Sequence, residues 1–252
     1  MGLHGDQHRY HEPAAHPAQE PTLFLQPGDF DLNAGLTRFM LKSENAYSVW
    51  DAINNLAKLD IDYWRRLVCS SHSGLDVLSA PEAWDVRSPF QREHIEHVLG
   101  FVRAHYDWAI LDLGKGFGQL ADATLNEINE VYVITTPEIG ALHTTRKLID
   151  SLGKAGHSRN RIRLVLNRAS KSAPAMVDDI ESAVGIPVSI SLANQYEALV
   201  ECSLSGTLLS NHNKLALDIK VLASQVMDET IVANRRSRMS RALTLCTAWM
   251  SA

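Results

Sequence analysis

From Thr22 onward, short apolar runs alternate with stretches of helical periodicity, and this alternation narrows the possible folds more than any other feature. Six segments are strand candidates: Thr22–Leu25, Leu75–Leu78, Trp108–Leu113, Val131–Thr135, Ile162–Leu166 and Val188–Ser191. Four of these six are continuous apolar runs, and a strand that is apolar on both sides must be covered on both sides. Helical patterns fill the intervals, over Tyr47–Lys58, Asp60–Cys69, Pro89–His105, Gln119–Glu127, Ile139–Ala155, Ala175–Val184 and Lys214–Met227. The expectation is an α/β fold with a mostly parallel, doubly wound sheet and helices on both faces. Ser88-Pro89 reads as a helix start, and Gly185 before Ile186-Pro187 as a helix stop. In the last helix Leu215, Ile219, Leu222 and Val226 share one stripe, which is expected to face the core.

Of the 252 residues 45% are hydrophobic, enough for a substantial core. No composition shift marks a second folded domain, so residues 22–228 are expected to form one α/β domain. Residues 1–21 carry His4, His8, His11 and His16 among Pro, Ala, Gln and Glu without apolar periodicity, and are expected to be a disordered leader without a metal. Residues 229–252 are expected to be a disordered or frayed tail. A formal charge of −5 gives no overall electrostatic reason to bind nucleic acid. Cys69, Cys202 and Cys246 are odd in number and far apart, which argues against a disulfide framework and fits a reducing cytoplasm. No run approaches the roughly 18 apolar residues of a spanning helix, and the first 21 residues lack a signal-peptide core.

Right-handed crossovers place the C-terminal ends of parallel strands along one edge, where open α/β sheets bind ligands. Asp112 closes the apolar strand beginning at Trp108 and belongs on that edge. Asp29 and Asp31 follow the strand Thr22–Leu25; in extended backbone they point the same way, suited to Mg²⁺ and its water. Aspartates after a strand also serve as turn and cap residues. Asn167 ends the run Leu164-Val165-Leu166, and its carboxamide offers a donor and an acceptor suited to a purine edge. It also reads as an ordinary polar strand end. The phosphate-binding counterpart is missing: no G-x-x-x-x-G-K-[ST] occurs, and the Gly114–Gly118 cluster follows the acidic strand and runs into Gln119-Leu120.

The ordered set resembles a family. Its members are Asp29 to Leu36, Tyr47 to Ala52, Gly74 to Pro81, Tyr106 to Leu113, Val133 to Glu138, Ile162 to Arg168 and Gly185 to Val188. Together they are similar to the MinD/ParA superfamily of deviant P-loop ATPases, and within it to the CpaE/TadZ proteins of pilus assembly. The resemblance implies ATP and Mg²⁺ as cofactors. It implies that Asp29 and Asp31 match the acidic pair handling Mg²⁺ water and the attacking water, that Asp112 matches the Walker B metal carboxylate, and that Asn167 reads adenine. It further implies a homodimer, partners in a pilus or secretion machine, and a cytoplasmic location, with peripheral contact at the inner membrane or cell pole. For such contact the tail supplies Arg235, Arg236, Arg238 and Arg241 next to Ala242 to Cys246 and Trp249-Met250.

The family's first strand and phosphate loop belong before Thr22, where this chain has the His/Pro leader. That strand is central in related sheets. Its omission would leave unpaired backbone groups unless another segment or chain fills the gap. The chain as written is therefore expected not to hydrolyse ATP. It is either a loop-less assembly factor or an N-terminally truncated form of an active ATPase. A dinucleotide-binding enzyme is a weaker alternative, because no G-x-G-x-x-G follows a first strand.

Overall fold

A computed structural model describes residues 22–25, 47–70, 75–78, 91–113, 124–170, 173–234 and 241–247. The apolar runs become β1 (Thr22–Leu25), β3 (Leu75–Leu78), β4 (Trp108–Asp112), β5 (Glu130–Thr135), β6 (Ile162–Ala169) and β7 (Val188–Ala193). Two further strands, β2 (Cys69–Ser70) and β8 (Arg241–Thr247), join them in a sheet ordered β2-β3-β1-β4-β8-β5-β6-β7. Every neighbouring pair is parallel except β2 with β3. The expected α/β class is the observed one.

The helices are α1 (Val49–Asn54), α2 (Ile61–Leu67), α3 (Arg92–His105), α4 (Ile139–Lys154), α5 (Val177–Val184), α6 (Tyr196–Ser205) and α7 (Lys214–Asn234). Several begin or end for local reasons. Asp51 accepts from both the backbone N–H (2.7 Å) and the hydroxyl (2.9 Å) of Ser48 at the start of α1. Asp60 accepts from Tyr63 N–H (2.7 Å) at the start of α2. Gly185 ends α5 at φ 87°, the left-handed conformation that glycine enters without steric cost. The start of α3 differs from the expected Ser88-Pro89: extended Gln91 precedes its first helical residue. The expected helix Gln119–Glu127 lies largely outside the described residues, although Thr124 and Leu125 are helical and buried.

Alternate residues of the central strands serve two cores. Ala109, Leu111, Val131, Val133, Leu164 and Leu166 pack with Trp64, Val98, Val102 and Ile149 from the helices on one face. Trp108, Tyr132, Val165 and Leu192 form the other cluster with Leu215 of α7, joined by Leu222 and Val226. Burial on both faces explains why these runs do not alternate in polarity.

The expected core stripe of the last helix needs one correction. Leu215, Leu222 and Val226 face the sheet, whereas Ile219 is exposed and Asp218 is buried in its stead. The reason is polar. Asp218 accepts from Ala193 N–H (3.0 Å) at the end of β7 and pairs with Lys214 (2.5 Å) one turn earlier. A buried carboxylate is tolerable when paired in this way.

The tail departs furthest from expectation. In place of a frayed end or a membrane-surface helix, α7 continues to Asn234 and Arg241–Thr247 form β8. β8 lies between β4 and β5, parallel to both, with Ile110 opposite Leu243 on one side and Val131 opposite Thr244 on the other. The central gap anticipated from the sequence is therefore filled by the C-terminal segment, which takes up the backbone groups of both flanking strands. Among the described residues, no helix is long and apolar enough to cross a membrane.

Candidate functional site

The parallel strands end together on one edge, and the sheet order fixes what stands beside what. Half-buried Asp112 is the last residue of β4, opposite Leu245 of β8. Next comes the end of β5, Thr135, followed by Thr136 and Glu138 before α4 begins. Asn167 and Arg168 stand near the end of β6, and Ala193 ends β7. Asp112 and Asn167 are thus three strand spacings apart, roughly 14 Å across the edge.

The β5–α4 turn is held from inside. Thr145 of α4 donates to Thr135 Oγ1 (2.8 Å), and both threonines are fully buried. This hydroxyl pair ties the strand end to the helix that follows and so fixes Thr136 and Glu138 on the rim. A hydrogen bond from Thr136 and the backbone N–H of Glu138 hold the Glu138 carboxyl below the ordinary carboxylate range, and the Arg168 guanidinium adds a smaller contribution. Ile139, the first residue of α4, is exposed beside it.

Asn167 is fixed by its own neighbour: its Oδ1 accepts from Arg168 N–H (2.9 Å). This is accompanied by φ 53° at Arg168, a left-handed conformation that costs a non-glycine residue about 1–2 kcal/mol. The turn brings the Arg168 charge toward Glu138 on the adjacent strand end. A carboxamide locked at a strand end, a carboxylate, a guanidinium whose charge reaches it and an apolar rim residue together make a surface able to orient a planar polar ligand.

Of the four sequence-predicted site residues, Asp112 and Asn167 fall on this edge. Asp29 and Asp31 lie outside the described residues. Among the described residues, no group of three or more His, Cys, Asp or Glu is arranged to hold a metal ion. Sequence reasoning assigned no role to Thr136, Glu138 or Arg168. Their signal was the pair of polar ends after two apolar strands, but the left-handed turn that couples them is not visible in residue types.

No protein-family model matches the sequence. The chain is 23% identical to the septum site-determining protein MinD of Thermotoga maritima over 134 residues, 50% of this chain and 49% of that protein. The chain spans about half the length of the curated relatives it matches. A ParA family ATPase from Chlorobium tepidum superposes with a TM-score of 0.71 at 21% identity, covering 81% of this chain and 85% of that one. MinD of Pyrococcus horikoshii, solved with Mg-ADP, superposes at 0.66 with 18% identity and 87% coverage of both chains. The fold is therefore that of the MinD and ParA ATPases. In sequence the similarity is to MinD, over half of the chain.

Proposed function

We propose that the chain is a positioning or assembly factor of the CpaE/TadZ kind, serving a pilus or secretion machine, and that as it stands it does not hydrolyse ATP. The observation that carries this reading is β8. The place beside the Asp112 strand is taken by a segment that is followed by Ala248-Trp249-Met250, without the glycines and lysine that cradle phosphates. Phosphoryl transfer depends on positioning and charge neutralisation, so a strand end without that cradle withholds the main catalytic contribution.

The fit to ATP and Mg²⁺ is partial. Asp112 would hold the metal, Asn167 would meet the adenine edge, and their separation suits the two ends of one nucleotide. Asp29 and Asp31 would supply further metal and water contacts. No hydrolytic step is assigned. The protein's work then lies in its binding surfaces, as a homodimer in the cytoplasm or peripherally at the inner membrane.

The test is ATP turnover by the purified full chain beside Asp112→Ala. Equal background rates are expected. Turnover that disappears in Asp112→Ala would make the chain an ATPase and overturn the reading.

A further inference from the structure

Near the end of β6 the pairing with β7 slips. Leu166 stands opposite Ser191 and Ala169 opposite Ala193, so Asn167 and Arg168 together face the single residue Leu192. This is a β-bulge, a device that re-aims a side chain at the end of a ladder. A left-handed residue in a bulge is normally glycine. Here it is Arg168, at φ 53° the one non-glycine residue with positive φ among the described residues. The conformation is held from both sides: Leu166 before it is fully buried, and after it Asn194 N–H donates to Ala169 O (3.0 Å). Strain maintained at a strand end on the ligand edge points to a use.

The use lies in Asn167. Its side chain accepts from Arg168 N–H (2.9 Å), and only the amide oxygen can accept, so the carboxamide stands one way up. Oδ1 keeps a second lone pair, and nothing among the described residues accepts from Nδ2. An unanchored carboxamide turns over to suit either order of donor and acceptor. This one would lose its bond to Arg168 and set N–H against N–H. We propose that Arg168 is a positioning residue, acting through its left-handed backbone, which locks the Asn167 carboxamide and makes this edge select a 6-aminopurine over a 6-oxopurine. The inference rests on Asn167 meeting a purine edge in the proposed function, and names what sets its selectivity. A 6-aminopurine presents its amino donor to Oδ1 and an adjacent ring nitrogen to Nδ2. A 6-oxopurine reverses both on its Watson–Crick edge. The base cannot turn over to compensate, because in that reading the phosphate end of the nucleotide is directed to Asp112.

The experiment is calorimetric binding of ATP and of ITP, each with Mg²⁺, to the full chain and to Arg168→Gly, Arg168→Val and Asn167→Asp. Arg168→Gly and Arg168→Val both remove the guanidinium, so any effect of its charge is common to the two. They differ because glycine enters the left-handed region freely and a β-branched residue does so least readily. The unaltered chain should prefer ATP by about tenfold. Arg168→Gly should keep that ratio even where both affinities change, and Arg168→Val should lose it. Asn167→Asp leaves the turn in place but exchanges the outward donor for an acceptor, so it should lose the preference whether or not Arg168→Val folds. Equal binding of ATP and ITP by the unaltered chain, binding of neither, or a preference that survives in Asn167→Asp overturns the inference. So does a folded Arg168→Val with the same ratio as Arg168→Gly, which would leave the turn a purely structural role. Equal binding without ATP turnover removes the lock and leaves the chain a non-hydrolysing factor. A preference lost in Arg168→Val, alongside turnover that disappears in Asp112→Ala, keeps the lock and removes that reading.

Discussion

Tyr106 connects three elements through one hydroxyl. It accepts from Trp64 Nε1 of α2 (2.7 Å) and donates to Asp76 Oδ2 of β3 (2.5 Å), while Ser70 of β2 donates to the other oxygen of Asp76 (2.5 Å). Trp64 and Tyr106 are buried, so removing the hydroxyl leaves an indole N–H without a partner, at a cost of about 1–3 kcal/mol. Tyr106→Phe is expected to lower stability by that amount in urea titrations. Burial, then the hydrogen bond to Asp76, raises the phenol above its ordinary 10.0. The folded protein therefore keeps a proton that the unfolded chain begins to lose near that pH. This contribution is full below the unfolded value and is lost as pH rises through the folded one. Wild-type stability should fall from about pH 10 upward, and Tyr106→Phe should fall less over the same range; parallel profiles would exclude this role.

At the scale of elements, the edge strand β7 is tied by carboxylates at its two ends, to α5 at its start and to α7 at its end. Glu181 accepts from Val188 N–H (2.8 Å) and Asp218 from Ala193 N–H (3.0 Å). Each satisfies a backbone donor at the edge, where an exposed strand would otherwise invite pairing with another chain. Asp218→Ala should cost about 1–3 kcal/mol, because Ala193 N–H loses its partner and α7 loses its polar anchor to the sheet. Asp218→Asn should retain part of it, since a carboxamide still accepts. A shift in urea midpoint equal for both variants would instead assign the effect to charge. This anchor was not legible in the sequence, where Ile219 looked like the inward residue: a hydrophobic stripe read at helical spacing has no place for a buried acid. Helix α6 escaped notice for the converse reason, since a helix without a buried face has no stripe to read. The continuous apolar strands were legible because burial on two faces leaves one residue class throughout the run.

For the molecule as a whole, the consequential element is β8. Without it the sheet would divide into β2-β3-β1-β4 and β5-β6-β7, each with an unpaired parallel edge facing the other. The need for a central strand was foreseeable from backbone hydrogen-bond accounting. Its source was not, because Arg241–Thr247 sits among arginines and serines near the end of the sequence, where nothing in the local pattern distinguishes a central strand from a frayed terminus. The site divided along the same line. Asp112 and Asn167 were found at strand ends, whereas the Thr136–Glu138–Arg168 arrangement depends on one left-handed residue. The proposed function rests on the same element, since β8 stands beside the Asp112 strand, where the proposal expects a phosphate loop to be needed. Hydrogen–deuterium exchange on the full chain tests this most directly. Amides of Arg241–Thr247 should be protected to the same degree as those of Trp108–Asp112 and Glu130–Thr135, which flank them. Exchange of the 241–247 amides as fast as in an unstructured peptide, with β4 and β5 still protected, would contradict the account.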